Sequence, residues 1–195
     1  MGEIERLKQY ILKRVAMTPE ELHQLASAFK IALIKKNQFI VQPDFTVKRC
    51  TFVVEGSFRS FIIDESGVDH TIQFALEDWW ISDYNSYIYQ KPATMFVVAL
   101  ENSTVLQLEF EKEQELMKAN QKFETFFRIG AERMAAFHQR RIISSLTMTA
   151  EERYNDFLEK HPAAALRLPQ HAMASYLGMS REFLSKIRNH RVRKK

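Results

Sequence analysis

Arg181, Glu182, Ser185, Lys186, Arg188 and Arg191 put a polar, mostly basic set of groups on the outer side of one short helical pattern. Side chains of these types hydrogen-bond base edges and neutralise phosphates. The same pattern groups Phe183, Leu184 and Ile187 into an apolar stripe, and the pattern before it does so with Met173, Ala174 and Leu177. Gly178-Met179 separates the two. Glycine suits the left-handed turn of a tight corner. Ser180 then supplies the oxygen that caps a new helix. The layout from Pro169 to Arg188 is that of a helix-turn-helix, its second helix free to enter a major groove. The candidate DNA-contact set is Gln170, Ser180, Arg181, Glu182, Ser185, Lys186 and Arg188, with the recognition helix over 181–190. A helical hairpin with a solvated basic face is the alternative at this level.

Charge separates the two. The chain of 195 residues carries a net +4. The segment from Gln170 to Lys195 alone holds +6, which leaves −2 for everything before it. A phosphate-binding footprint concentrates basic charge in this way; a general solubility surplus spreads it.

The preceding elements must position that segment. Residues 1–30 read as helical, with Ile4, Leu7, Ile11 and Leu12 at helical spacing. Thr18-Pro19-Glu20-Glu21 forms a capping box ahead of Leu22, Leu25 and Phe29. From Ile31 to about Leu108 short β-rich runs follow: Ile31–Ile34, Phe39–Val41, Cys50–Glu55, Ser57–Asp64, Asp69–Phe74, Phe96–Leu100 and Thr104–Leu108. Turn residues separate them, as in a small antiparallel sandwich or barrel. The aromatic stretch Asp78–Tyr84 interrupts them, either lining a ligand pocket or filling a core. Beyond Glu109 the pattern is helical. Phe123, Phe127, Gly130, Met134 and Phe137 recur at 4-3-4-3 spacing, the seam of a dimerisation helix over about 110–146. That seam can also pack on the β region, and different faces can do both. Thr149-Ala150-Glu151-Glu152 caps a further helix, which Pro162 ends, and Ala163–Leu168 reads as a connector. The expected domains are 1–146 and 147–195.

The order helix, β-roll, long helix, helix-turn-helix resembles the Crp/Fnr superfamily of transcription regulators along nearly the whole chain. The motifs are Phe52–Phe61, Asp64–Phe74, Val98–Leu106 and Leu177–Ile187. The resemblance implies an α+β fold: an N-terminal double-stranded β-helix (jelly-roll) of the cyclic-nucleotide-binding type, a dimerisation helix, and a C-terminal (winged) helix-turn-helix. It assigns Arg181 to guanine, Glu182 to a cytosine amino group, and Lys186 to guanine or phosphate. It implies a homodimer on a near-palindromic operator, with double-stranded DNA, RNA polymerase and an unidentified small-molecule effector as partners. Its effector pocket falls on Trp80, Ser82, Asp83 and Thr94. Family members that hold cyclic AMP pair its phosphate with an arginine, and here Ala93 stands at that position. No cofactor is expected, since a buried phosphate without its arginine is costly. Arg59 or Arg133 could substitute from another direction, and nothing in the sequence favours that.

Other chemistries are excluded on composition. One cysteine, Cys50, allows neither an intrachain disulfide nor an iron–sulfur cluster. The six histidines show no metal-ligand spacing. No nucleophile elbow, phosphate loop or metal pair is present, so no enzyme and no catalytic residue is expected. No run nears the ~20 apolar residues of a membrane span, and Met1–Glu5 lacks the features of a secretory signal, so a cytoplasmic protein is expected. The competing reading is a small-molecule-sensing β-roll whose DNA binding is vestigial.

Overall fold

Short runs of β-branched and aromatic residues form eight strands among the described residues: β1 (Lys30–Ile34), β2 (Phe39–Val41), β3 (Arg49–Glu55), β4 (Phe58–Ile63), β5 (Asp69–Ala75), β6 (Trp80–Ile81), β7 (Phe96–Ala99) and β8 (Ser103–Glu109). The structure, a computed structural model, describes residues 2–193, and side chains as far as residue 190. Two antiparallel four-stranded sheets run in the orders β1-β8-β3-β6 and β2-β7-β4-β5. Only β4 and β5 are consecutive in one sheet, so the chain crosses between sheets at each of the six remaining steps. That is the expected jelly-roll. Seven strands match the sequence reading within two residues. β6 does not, because two residues inside an aromatic stretch give no alternation to detect.

The corner between β3 and β4 needs its glycine. Gly56 has φ +109°, and a Cβ there would fall 2.1 Å from Ser103 Oγ. Between the sheets, Phe52, Val53, Phe58, Val97, Val105, Leu106 and Leu108 are fully buried. Helix α1 (Glu3–Leu12) adds Leu7 and Ile11 to this core, and α2 (Pro19–Ser27) adds Leu25. The expected capping box starts α2: Glu21 N–H donates to Thr18 Oγ1 at 3.2 Å, and Thr18 N–H to Glu21 Oε2 at 2.8 Å. Helix α3 (Tyr84–Tyr89) is capped by Asp83 and carries the buried Tyr87.

The helical stretch after the β-roll is two helices, α4 (Phe110–Ala119) and α5 (Gln121–Thr147). The single helix expected over 110–146 breaks at Asn120. Its backbone turns extended (φ −151°, ψ 123°), and its side chain accepts from Lys122 N–H at 2.8 Å to cap α5. A capping box at Thr149 and Glu152 opens α6 (Ala150–Lys160). The expected connector is instead a short helix, α7 (Pro162–Arg167), because a proline fits the first turn of a helix as well as it ends one. Then come α8 (Gln170–Leu177) and α9 (Arg181–Arg193). No strand follows α9 among the described residues, so they contain no wing.

Two acids, Asp83 and Glu113, are buried among the described residues. Glu113 of α4 accepts from Tyr87 Oη at 2.7 Å and from Cys50 Sγ at 3.6 Å. Burial raises the Glu113 carboxyl above its ordinary value, and these two bonds offset only part of that. The folded chain therefore holds this proton more tightly than the unfolded chain does. The resulting stability is full below pH ~4.3, the ordinary glutamate value, and is lost as pH rises through the folded value. Urea titrations should show Glu113→Gln gaining on the wild type over that interval. Each pH unit by which the folded group is harder to ionise is worth about 1.4 kcal/mol. A constant difference from pH 4 to pH 8 would refute this.

Candidate nucleic-acid interface and ligand cavity

The helix-turn-helix forms as its sequence dictates. Gly178 ends α8 in the left-handed region at φ 67° and ψ 43°. Ser180 Oγ accepts from Phe183 N–H at 3.1 Å and caps α9. Ala172, Met173, Ala174, Leu177, Leu184 and Ile187 are buried between α8, α9 and their neighbours. Arg153 of α6 fastens the turn, donating to Leu177 O at 2.9 Å and Met148 O at 2.6 Å. Gln170, Ser180, Arg181, Glu182, Ser185 and Lys186 are exposed, and Arg188 is half-buried. Phe183 departs from its expected place on the buried stripe. It is 45% exposed and stands among the polar residues of the outer face, since Leu184 and Ile187 alone fill the seat beneath α9. Lys194 and Lys195 lie outside the described residues, as do the side chains of Arg191 and Arg193.

α8 is also docked on the chain's own β-roll. β5 is an edge strand, and Ser175 of α8 reaches its free backbone groups. Ser175 Oγ accepts from Thr71 N–H at 2.8 Å and donates to Asp69 O at 2.9 Å. Thr71 Oγ1 donates to Ala172 O at 3.2 Å. The β4–β5 register slips between Ser60 and Phe61, so Ile72 has no partner opposite it. Arg141 of α5 takes up the slack, donating to the carbonyls of Ile72, Thr71 (2.9 Å) and Tyr176 (3.2 Å). Its guanidinium lies 4.4 Å from the Tyr176 ring centre. Phe74 and Leu76 of the roll complete the apolar cluster of the helical domain. At the rim, Arg167 grips Glu77 with two bonds of 2.8 Å and reaches Glu101 at 2.6 Å. Burial pushes the Glu77 carboxyl up, but Arg167 and the Gly56 N–H outweigh it and hold the value at about 2. The sequence offers no sign of this interface, because its residues are scattered over 69–176.

A cavity of about 290 Å³ opens between α1, the β-roll and α5. Trp80 and Ser82, both expected at an effector pocket, line it. Trp80 also serves the core: its Nε1–H donates to Tyr10 Oη at 3.0 Å, and its ring packs against Phe29, Phe52 and Phe126. Asp83 and Thr94 do not line the cavity. Asp83 is fully buried, capping α3 through Ser86 N–H (3.1 Å) and accepting from Thr94 N–H (2.8 Å). These two hold the α3 segment to the strand that follows it. Ala93 is buried there too. Arg59 is occupied elsewhere, bonded to Thr71 at 2.8 Å and paired with Asp69. Arg133 does line the cavity, with Arg14 and Arg140.

Of the 4-3-4-3 seam, Phe123 is wholly buried in its own chain, and Phe127, Gly130, Met134 and Phe137 face the cavity. The solvent side of α5 carries a second stripe, Ala131, Ala135, Ile142 and Leu146. Ile142 is 60% and Leu146 79% exposed.

No protein-family model matches the chain, and no curated protein matches it in sequence. Solved structures do match. FixK2 from Bradyrhizobium japonicum superposes with a TM-score of 0.71 at 17% identity, covering 83% of each chain. The c-di-GMP-responsive global regulator CLP of Xanthomonas campestris gives 0.68 at 11% identity, over 91% of this chain and 93% of that one. The catabolite activator protein of Thermus thermophilus gives 0.56 at 19% identity, over 95% and 87%. At these identities the likeness is one of fold.

The docking interface predicts a local response. Arg141→Ala removes every bond the side chain makes to the Thr71, Ile72 and Tyr176 carbonyls, at about 1–3 kcal/mol for buried groups left unpaired. Amide exchange should speed up in β5 and α8 and stay unchanged in β1, β3 and β8. Uniform acceleration over the chain would refute a local clamp.

Proposed function

We propose that this chain, which has the fold of the Crp/Fnr regulators, is a DNA-binding transcription regulator that reads a near-palindromic operator as a homodimer. The observation that carries the reading is the outer face of α9, where Arg181, Glu182, Ser185 and Lys186 are exposed on a helix set by Gly178 and Ser180. Arg181 suits guanine O6 and N7, and Glu182 a cytosine amino group. Phe183 adds an apolar edge of the kind that meets a thymine methyl. The basic charge at this end of the sequence supplies the phosphate attraction that any DNA complex requires.

The exposed stripe on α5 supports the dimer. Ala131 and Ala135 let a partner helix come close, and Ile142 and Leu146 give it apolar area to cover. Two recognition helices would then face half-sites about one helical turn apart. Cyclic nucleotide held at the family's arginine position is not the effector in this reading, because Ala93 stands there and offers no charge to a phosphate.

Fluorescence anisotropy with genomic promoter fragments against random DNA, at stated salt, tests the reading. Arg181→Ala should cost about 1–3 kcal/mol on the preferred site and relax specificity at one base pair. Equal affinity for both DNAs, with no effect of the substitution, would leave only a β-roll sensor. Separately, Ile142→Glu combined with Leu146→Glu should give a monomer in sedimentation experiments and weaken binding to the full site far more than to a half-site. A dimer surviving both changes would rule out this face.

A further inference from the structure

The cavity between α1, β6 and α5 is lined by three arginines, Arg14, Arg133 and Arg140, against two acids, Asp78 and Glu113. We infer that it binds a small organic anion with a flat apolar body, its carboxylate or phosphate head held by Arg14 and Arg133. This rests on the regulator reading and names the chemistry of its effector.

Arg14 is the most constrained of the cations. Its Nη1 donates to Tyr10 O at 2.7 Å, and its guanidinium stacks 3.4 Å from the Tyr10 ring centre. Its Nε–H is buried and has no partner. Burial pulls the Arg14 pKa down, Tyr10 counters part of that, and the charge of Arg133 lowers it further. Two cations therefore press on each other across the cavity wall. The two acids of the lining are both engaged elsewhere. Asp78 is paired with Arg6 at 2.6 Å and offsets only part of the burial of Arg14, and Glu113 accepts from Tyr87 and Cys50. Among the described residues, neither Arg133 nor Arg140 forms an ion pair. An anionic head group seated there removes the repulsion and gives the Arg14 Nε–H its acceptor.

Two further features fit a ligand rather than a gap in packing. Ser82 Oγ is buried on the cavity wall without a hydrogen-bond partner, a group that a bound oxygen would satisfy. Gly130 sits on the α5 wall, and a Cβ added there would meet nothing within 4 Å. Glycine inside a helix costs roughly 0.5–1 kcal/mol relative to alanine, and nothing in its own chain crowds this position. Leaving the wall bare keeps the space open. Trp79 and Phe137, at 6.1 Å and 73°, flank that space and give a flat body rings to lie against. The volume suits a compound of about one or two rings.

The test uses 2-naphthoate, 2-naphthyl phosphate and the neutral 2-naphthamide, read by calorimetry and melting temperature on the full chain. At least one anion should raise the melting temperature and bind about tenfold or more tightly than the amide. Whichever anion binds better identifies the head group. Arg133→Gln should bring that anion down to the amide's affinity while leaving the amide unchanged, which also shows the cavity intact. Gly130→Leu should abolish binding of all three. No response to either anion at millimolar concentration, or an amide binding as tightly as the acids, would overturn the inference. DNA affinity measured on the same preparations separates the two readings. Anion binding without DNA binding removes the regulator and keeps the site; DNA binding without anion binding does the reverse.

Discussion

An edge strand leaves backbone groups that have to be satisfied, and in this chain a helix of the C-terminal helical unit satisfies them. Ser175 takes both the Thr71 N–H and the Asp69 carbonyl, and Arg141 takes the carbonyl stranded by the slipped register. Polar groups at such a join are costly to leave bare. The helical domain is therefore part of how the β-roll closes its own edge. Phe74 and Leu76 belong to its apolar cluster for the same reason.

The second constraint is the division of α5 into two working sides. Phe123 and Phe126 are buried in the roll, Gly130 and Phe137 face the cavity, and Arg141 reaches the docking interface. Ile142 and Leu146 lie on another side and meet solvent. A periodic apolar pattern identifies a helix and a buried face. It does not say which neighbour buries that face, and here the neighbour of the 4-3-4-3 seam is the chain's own β domain.

Local rules explain what the sequence made legible. Thr18 with Glu21, Thr149 with Glu152, Ser180 and Gly178 each act within a few residues, and each does what its type and position call for. Seven strands followed from alternation and turn residues. The misreadings have the same root. Asn120 interrupts a helix through its own backbone angles, which composition does not encode. Pro162 fits a helix start as well as a helix end. Asp83 and Thr94 were placed at a ligand by resemblance, while the structure turns them toward each other. Arg14 follows α1 while Arg133 and Arg140 lie far along the chain on α5, so no window of sequence contains the cavity they share.

Arg140 and Arg141 are consecutive residues on one continuous helix. The first stands at the mouth of the cavity, and the second clamps the edge strand and α8. A rigid helix can turn or slide only as a whole, so the two side chains move together. Trp79 closes the loop: its ring touches Phe137 on that helix and, at 5.2 Å, His161 where α6 meets α7. The wall of the cavity and the seat of α8 are thus parts of one mechanical linkage.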